Sequence, residues 1–97
     1  MSRNRYILAY DISDKKRLRD IYKKATGYGD PLQLSVFICD LSPTELLLME
    51  NDLSNVMNLK EDSVIIANLG PVTQHGSKRI KAIGRPLDLE PIRAIIL

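Results

Sequence analysis

The sequence predicts an α+β fold: a ferredoxin-like βαββαβ sandwich with an extra C-terminal strand, paired as a homodimer through its sheets. The 97 residues suit one small domain, residues 1–97. Short strand-like apolar runs alternate with two helical patterns, which favours two helices on one face of an antiparallel sheet. The predicted strands carry apolar residues on both faces, although the helices can cover only one. A second copy of the chain is the simplest cover for the other face.

Composition excludes several classes of protein. With 44% hydrophobic and 27% charged residues, the chain resembles a soluble globular domain rather than a disordered segment. No run approaches the roughly 18 apolar residues of a membrane span, so no membrane partner is expected. No signal peptide is visible, and the lone Cys39 excludes an internal disulfide, which together predict a cytoplasmic protein.

The first half of the chain is predicted to be strand, helix and a pair of strands. Residues 5–10 form an apolar, aromatic-containing run typical of a strand. A helix follows, capped by Ser13 or Asp14. Its apolar stripe consists of Leu18, Ile21, Tyr22 and Ala25. Residues 32–41 are extended, and a bend near Gln33 would divide them into two strands.

The second half begins with a clear helix start. Ser42, Pro43 and Glu45 supply a cap, a first-turn proline and the residue that completes a capping box. We expect this helix to continue to residue 57 and a strand to cover residues 63–69. Residues 79–83 and 92–97 are two further short strand candidates. The last would pair with a sheet edge of its own or the partner subunit.

Charge is distributed unevenly along the chain. Residues 1–29 carry eight basic and three acidic side chains, a net charge of +5. Residues 30–62 carry one basic and seven acidic side chains, and residues 63–97 five basic and two acidic ones. This pattern predicts one positive surface suited to a polyanion such as RNA or DNA, and one negative surface.

Two short segments carry a family resemblance. The stretch YILAYDISD at residues 6–14, followed by Arg17-Leu18-Arg19, is similar to the opening of the small CRISPR-associated endoribonuclease family, the second Cas protein. The stretch QLSVF at residues 33–37 resembles the family's second signature segment. The resemblance implies a ferredoxin-like homodimer in which the C-terminal strand completes the other subunit's sheet. It also implies metal-dependent phosphodiester cleavage in some members, and a role in spacer acquisition beside the integrase-like first Cas protein.

The resemblance also implies a set of site residues. Asp11, where the first strand ends, is expected to hold Mg²⁺ or Mn²⁺, with one ion shared by Asp11 of both subunits. From the residues alone, Asp11 is equally well explained as a cap of the following turn. The motif positions expected to act in catalysis are Asp11, Tyr10, Arg17, Arg19 and Phe37. Those expected to bind nucleic acid are Arg17, Arg19, Lys16 and Lys23.

Each of these positions also has an ordinary structural explanation. Arg17 and Arg19 point in different directions on a helix, so only one is expected to reach the site of Asp11, and both could be solvated charges. Tyr10 and Phe37, in or ending strands, could be packing residues. Pro31 stands where members described as ribonucleases often have an arginine, and proline cannot bind phosphate.

Two functions of different class fit this sequence. The first is a metal-dependent endonuclease of spacer acquisition that hydrolyses phosphodiester bonds in RNA or DNA. The alternative is a non-catalytic dimeric adaptor that binds duplex DNA through its backbone and bridges copies of the integrase-like Cas partner. A toxin-like ribonuclease outside any CRISPR locus is a third, since fold does not fix function.

Overall fold

The computed structural model describes residues 2–72 and 80–85. Its elements run strand, helix, strand, strand, helix, strand, in the order predicted. Their bounds are β1 Asn4–Asp11, α1 Lys15–Thr26, β2 Asp30–Gln33, β3 Val36–Leu41, α2 Pro43–Val56 and β4 Ser63–Pro71. The predicted bend in residues 32–41 is the two-residue turn at Leu34 and Ser35 between β2 and β3.

The four strands form one antiparallel sheet in the order β2-β3-β1-β4. Strand β1 lies in the middle, paired with β3 on one side and β4 on the other. The register sets Tyr6 opposite Cys39 and Asp11 opposite Ser63. The end of β1 therefore lies beside the start of β4, which determines what surrounds Asp11.

Both helices begin at side-chain caps. The Asp14 carboxylate accepts a hydrogen bond from the Arg17 backbone N–H at 2.9 Å, so Asp14 rather than Ser13 caps α1. Ser42 and Glu45 form the predicted capping box at the start of α2. These caps satisfy backbone donors that the first turn of a helix leaves without partners.

The core lies between the helices and one face of the sheet. Helices α1 and α2 pack against each other and contribute Ile21, Ala25, Met49 and Leu53. Alternate strand residues face them. The strand members of the core are Tyr6, Leu8, Tyr10, Phe37, Cys39 and Leu41. The same alternation points the intervening residues to the helix-free face of the sheet.

The helix-free face is largely apolar, as predicted. It carries Ile7, Ala9, Val36, Ile38, Ile65 and Ala67. Ile65 is 64% exposed, whereas Ile38 is only 4% exposed. Residues 80–85 lie over part of this face, where they line a cavity of about 480 Å³ with Ile7 and Val36. The homodimer that would cover the remainder stays a prediction.

The predicted strand at residues 79–83 is wrong over its described part. Residues 80–83 are irregular, and no hydrogen bond between described residues ties them to a strand. Residue 80 is half-buried and residues 81–85 are exposed, and Gly84 turns the chain with φ of +90°. The predicted strand at 92–97 and residue 79 lie outside the described residues. Neither described helix has the length and apolar character needed to cross a membrane.

Candidate functional site

Asp11 is the last residue of β1 and is exposed. Strand alternation places it with Ile7 and Ala9 on the helix-free face. Within residues 2–72 and 80–85 no side-chain hydrogen bond or ion pair involves its carboxylate. The capping explanation of Asp11 is therefore wrong, because Asp14 supplies the cap of α1. No described residue engages its carboxylate, which lies exposed at the edge of this face.

Tyr10 precedes Asp11 and points to the opposite face of the sheet. Its side chain is packed under α1, and its hydroxyl donates to the backbone oxygen of Leu34 at 3.2 Å. Burial, with a smaller contribution from nearby Tyr22, raises the pKa of Tyr10. The phenol therefore stays protonated at neutral pH and ties β1 to the β2–β3 turn.

Phe37 lies in the centre of the core. It is completely buried, and its ring is 6.2 Å from that of Tyr10 and 5.4 Å from that of Tyr22, centroid to centroid. The contact with Tyr22 is edge-to-face, a favoured aromatic geometry. In this position Phe37 contributes packing between α1 and the sheet.

Arg17 is held by acidic side chains from the loop before β4. Its Nε donates to Asp62 Oδ2 at 2.8 Å, and its Nη2 reaches Glu61 Oε1 at 3.1 Å and Asp62 Oδ1 at 3.3 Å. The same Nη2 lies 3.3 Å from Ser13 Oγ. The arginine thus joins the start of α1 to the start of β4, and most of its donors are already used.

Asp62 is the central group of this network, although no sequence pattern selects it. Its side chain is fully buried and accepts further bonds from the backbone N–H groups of Ser13, at 3.0 Å, and Asn58, at 2.8 Å. The Arg17 guanidinium, followed by these amide donors, holds the pKa of Asp62 well below its usual range. The signal that could have identified Asp62 is its place in the topology. It immediately precedes β4, whose first residue, Ser63, pairs with Asp11.

Arg19 and Lys23 lie one helical turn apart on the exposed surface of α1, and Lys16 is exposed nearby. None of the three has an ion pair in the described part of the chain. Arg19 and Lys23 line a surface groove of about 310 Å³. The other lining residues are Tyr10, Leu18, Tyr22 and Leu34.

The motif residues are therefore distributed over three places. Asp11 lies at the end of the helix-free face, Tyr10 and Phe37 lie under α1, and Arg17 lies in the Asp62 network. Of the two arginines, Arg19 remains available for phosphate. No cluster of three or more metal-binding side chains occurs among the described residues. A metal site at Asp11 therefore needs ligands beyond those that the described residues bring together.

Cys39 is a buried packing residue. Burial, with smaller contributions from Asp40 and Asp30, raises the pKa of the Cys39 thiol to about 12. A neutral thiol of this kind is a poor nucleophile and a poor metal ligand.

Comparison with known proteins gives a consistent result. The family model described as CRISPR associated protein Cas2 matches residues 4–75. The CRISPR-associated endoribonuclease Cas2 of Geobacter sulfurreducens is 36% identical over 92 residues, which cover 95% of this chain and 96% of the relative. The CRISPR-associated endoribonuclease Cas2 1 of Rhodospirillum rubrum is 33% identical over 95% of this chain and 89% of its own length.

Solved structures resemble the fold as well. The crystal structure of Streptococcus pyogenes Cas2 at pH 6.5 matches with a TM-score of 0.71 and 26% identity, covering 82% of this chain and 99% of that one. The Thermus thermophilus hypothetical protein TT1823 matches with a TM-score of 0.72 and 28% identity, covering 86% of this chain and 93% of that one.

Proposed function

Because the chain belongs to the CRISPR-associated protein Cas2 family, we propose that it is a homodimeric, metal-dependent endonuclease of spacer acquisition. It hydrolyses phosphodiester bonds in RNA or DNA, as the names of its relatives suggest for RNA. The observation that carries this proposal is the exposed carboxylate of Asp11 at the end of the helix-free face, which has no partner among residues 2–72 and 80–85. Strand order and element order together support a ferredoxin-like sandwich.

The homodimer is supported by the apolar helix-free face. Exposed apolar residues such as Ile65 cost free energy in water, and a contiguous apolar face typically marks an interface. When two copies meet on this face, the closed symmetry of a dimer presents the same residues from each side. Asp11 of one subunit would then approach Asp11 of its partner.

A pair of Asp11 carboxylates fits what a divalent cation requires. Mg²⁺ is usually bound in proteins by one or two carboxylates and several waters, with octahedral geometry. Asp62 cannot serve as the second ligand in the same chain, since its oxygens already accept at least five hydrogen bonds. A Mg²⁺ or Mn²⁺ ion held by the Asp11 pair would neutralise charge on the scissile phosphodiester.

The basic side chains of α1 bind the nucleic-acid backbone. Arg19, Lys16 and Lys23 are exposed and have no protein partner among the described residues, so their charges are available to phosphate oxygens. Arg17 acts instead as a positioning residue, because its bonds to Asp62 and Ser13 hold the loop that follows Asp11.

Nuclease assays of an Asp11→Asn variant test the catalytic role. The wild-type protein is expected to cleave RNA or duplex DNA in the presence of Mg²⁺ or Mn²⁺ and to lose cleavage in chelator. We expect Asp11→Asn to lower the rate at least about 100-fold at saturating metal, since removal of the carboxylate removes the metal ligand. Isothermal titration of the metal should show weaker binding to the same variant.

The matched control is Glu50→Gln, which removes one exposed carboxylate from α2. It should leave both the cleavage rate and the metal affinity unchanged. If the protein cleaves without a metal, or if Asp11→Asn cleaves like the wild type, the nuclease role assigned to Asp11 is wrong.

A non-catalytic adaptor is the second candidate, favoured by Pro31 and by the engaged guanidinium of Arg17. In this function the dimer binds duplex DNA and bridges copies of the integrase-like Cas partner. Absence of cleavage by wild-type protein that still binds duplex DNA would select this candidate over the nuclease.

Salt dependence of duplex binding tests the basic surface in either function. Removing one cation that neutralises a phosphate should reduce the slope of log K against log salt by about 0.9. We therefore expect Arg19→Ala and Lys23→Ala each to flatten the slope by about that amount. Lys60→Ala, in the acidic middle of the chain, is the control and should leave the slope unchanged. Equal slopes for wild type and for the α1 variants would remove α1 from the binding surface.

A further inference from the structure

A hollow of about 310 Å³ lies between α1 and the β2–β3 turn, and its lining is almost entirely apolar. Leu34, on the turn, is 83% exposed, and Tyr22, on the helix, is 37% exposed. Apolar and aromatic side chains exposed around a hollow are more favourable when a ligand covers them. We refer to this hollow as the α1 groove. Its lining residues are Tyr10, Leu18, Arg19, Tyr22, Lys23 and Leu34.

The charged side chains of the α1 groove favour an anionic ligand. Arg19 and Lys23 lie one turn apart on α1, with their Cβ atoms about 5–6 Å from each other. Neither forms an ion pair with a residue in 2–72 or 80–85, and no acidic side chain occurs among the described residues that line the groove. Lys16 lies three residues before Arg19, so the three cations form one stripe along the helix. A stripe of this kind suits a linear polyanion.

A nucleotide of an unpaired strand combines both features in one unit. Its base is a flat ring that stacks on aromatic side chains, and its phosphates are natural partners of arginine and lysine. In a duplex the bases are stacked on their neighbours, so only their edges reach a protein through the grooves. The apolar lining of the α1 groove therefore fits the base of a single strand and not that of a duplex.

We propose that the α1 groove holds one unpaired base of single-stranded RNA or DNA, while Arg19 and Lys23 bind the phosphates beside it. The base lies against the Tyr22 ring and the Leu34 side chain. Apart from the Tyr22 hydroxyl, the apolar part of the lining offers no hydrogen-bonding side chain that would distinguish one base from another. Binding therefore depends on the presence of a base more than on its identity, as at other stacking sites.

The α1 groove lies at the end of the sheet that carries Asp11. Tyr10, which lines the groove, directly precedes Asp11 in β1, and their Cα atoms are about 3.8 Å apart. The two side chains point to opposite faces of the sheet, so a strand that reaches both must pass around the end of β1. A base held in the groove thus keeps the strand next to Asp11.

Occupancy of the α1 groove has a consequence for cleavage. A nuclease that holds one unpaired base here would prefer single-stranded substrates, and the held base would determine which phosphodiester approaches Asp11. This consequence rests on the proposed function. The base contact itself does not, and binding without a metal measures that contact alone.

Equilibrium binding of the full-length protein in chelator provides this measurement. The fluorescent probes are oligoadenylate strands of RNA and of DNA, a duplex of the same length, and a strand of that length without bases. We expect an unpaired strand to bind about tenfold more tightly than the strand without bases, as for one base stacked on an aromatic side chain. The tighter of the RNA and DNA strands identifies the sugar. Equal affinities with and without bases overturn the proposal, and so does failure of both unpaired strands to bind.

A Leu34→Ala variant tests the groove. It removes exposed apolar surface from the β2–β3 turn and leaves the buried core intact. We expect it to bind the unpaired strand about fivefold more weakly, because the base covers less apolar surface, and to bind the duplex and the strand without bases like the wild type. Leu47→Ala, which changes a leucine that is 67% exposed on α2, is the matched control and should bind every probe normally. Wild-type affinity of Leu34→Ala for the unpaired strand would exclude the groove as the base site.

Photo-crosslinking locates the base directly. A single strand carrying one 5-iodouridine is irradiated with the protein in chelator, and the crosslinked residue is identified by mass spectrometry. We expect the crosslink at Tyr22 or Tyr10, since the halogenated base reacts with an aromatic ring that it lies against. Leu34→Ala should lower the yield several-fold. A crosslink at any residue outside the α1 groove, such as Tyr28, overturns the proposal.

These outcomes distinguish the base site from the nuclease role of Asp11. Base-dependent binding by a protein that never cleaves supports the α1 groove and rejects the nuclease. Cleavage that depends on Asp11, combined with equal affinities for strands with and without bases, rejects the groove and supports the nuclease. Circular dichroism checks that each variant is folded before binding is measured.

Discussion

At the scale of single residues, Asp62 is the group that tertiary structure adds to the site. Its buried carboxylate accepts hydrogen bonds from two loops and a guanidinium, and these donors stabilise the charged form. Since Ser13 and Arg17 both bind it, the chain that leaves Asp11 has a fixed course. Asp11 itself makes no such contact with the described residues, which is compatible with the metal-binding role that we propose for it.

The pH dependence of stability tests the role of Asp62. A carboxyl with a depressed folded-state pKa stabilises the fold above its unfolded-state value, 3.8 here, and loses this contribution as pH falls below it. We therefore expect the wild-type melting temperature to fall as pH decreases below about 3.8. Asp62→Asn should lower the melting temperature at pH 7 and show a weaker decline in acid.

Glu61→Gln is the control for this experiment. Glu61 also binds Arg17, but its side chain is 61% exposed, so this ion pair contributes little to the stability of the fold. The melting temperature of the Glu61→Gln variant should remain close to that of wild type at every pH. Parallel acid profiles for wild type and Asp62→Asn would contradict the role assigned to the Asp62 charge.

At the scale of elements, the α1–β2 loop passes close against β3. Gly29 permits it: a Cβ atom there would overlap the Ile38 backbone oxygen and lie 2.6 Å from Cys39 Sγ. No side chain fits such a gap, and a backbone oxygen cannot move aside as a flexible side chain can. The sequence indicated a turn here but not this contact.

A pair of glycine substitutions tests this contact. Gly29→Ala should reduce the free energy of unfolding by about 1–3 kcal/mol, because β2 must separate from β3. Gly27→Ala is the matched control. Its Cβ would meet only the Lys24 oxygen at 3.3 Å, and its backbone is helical, so the change should stay within about 1 kcal/mol. Urea unfolding measures both, and equal losses would refute the explanation.

At the scale of the whole molecule, the helix-free face connects the fold to the proposed function. It is apolar at its centre and carries Asp11 at one end. A single interface would therefore bury the apolar centre and bring the Asp11 carboxylates of both subunits together. Residues 80–85 cover only part of this face. A monomer would leave Ile65 exposed to water.

Sedimentation of an Ile65→Lys variant tests the dimer. We expect wild-type protein to sediment as a dimer at micromolar concentration, and Ile65→Lys as a monomer, because an unpaired charge in an apolar interface is costly. Leu47→Lys changes a leucine of similar exposure on α2 and should remain dimeric. A wild-type monomer, or equal dimerisation of both variants, would exclude this face as the interface.

The sequence by itself determined the two described helices, the four strands of the sheet and the family. Local signals are sufficient for these: the capping box at Ser42, the apolar stripe of α1, and the strand that ends at Tyr10 and Asp11 depend on near neighbours along the chain. Tertiary structure decided which motif residues act together. Tyr10 and Asp11 are adjacent in sequence yet face opposite sides of the sheet, while Arg17 and Asp62 are 45 residues apart and share two hydrogen bonds. The physical reason is that strand alternation separates neighbours and antiparallel pairing joins distant ends, and neither can be read from spacing alone.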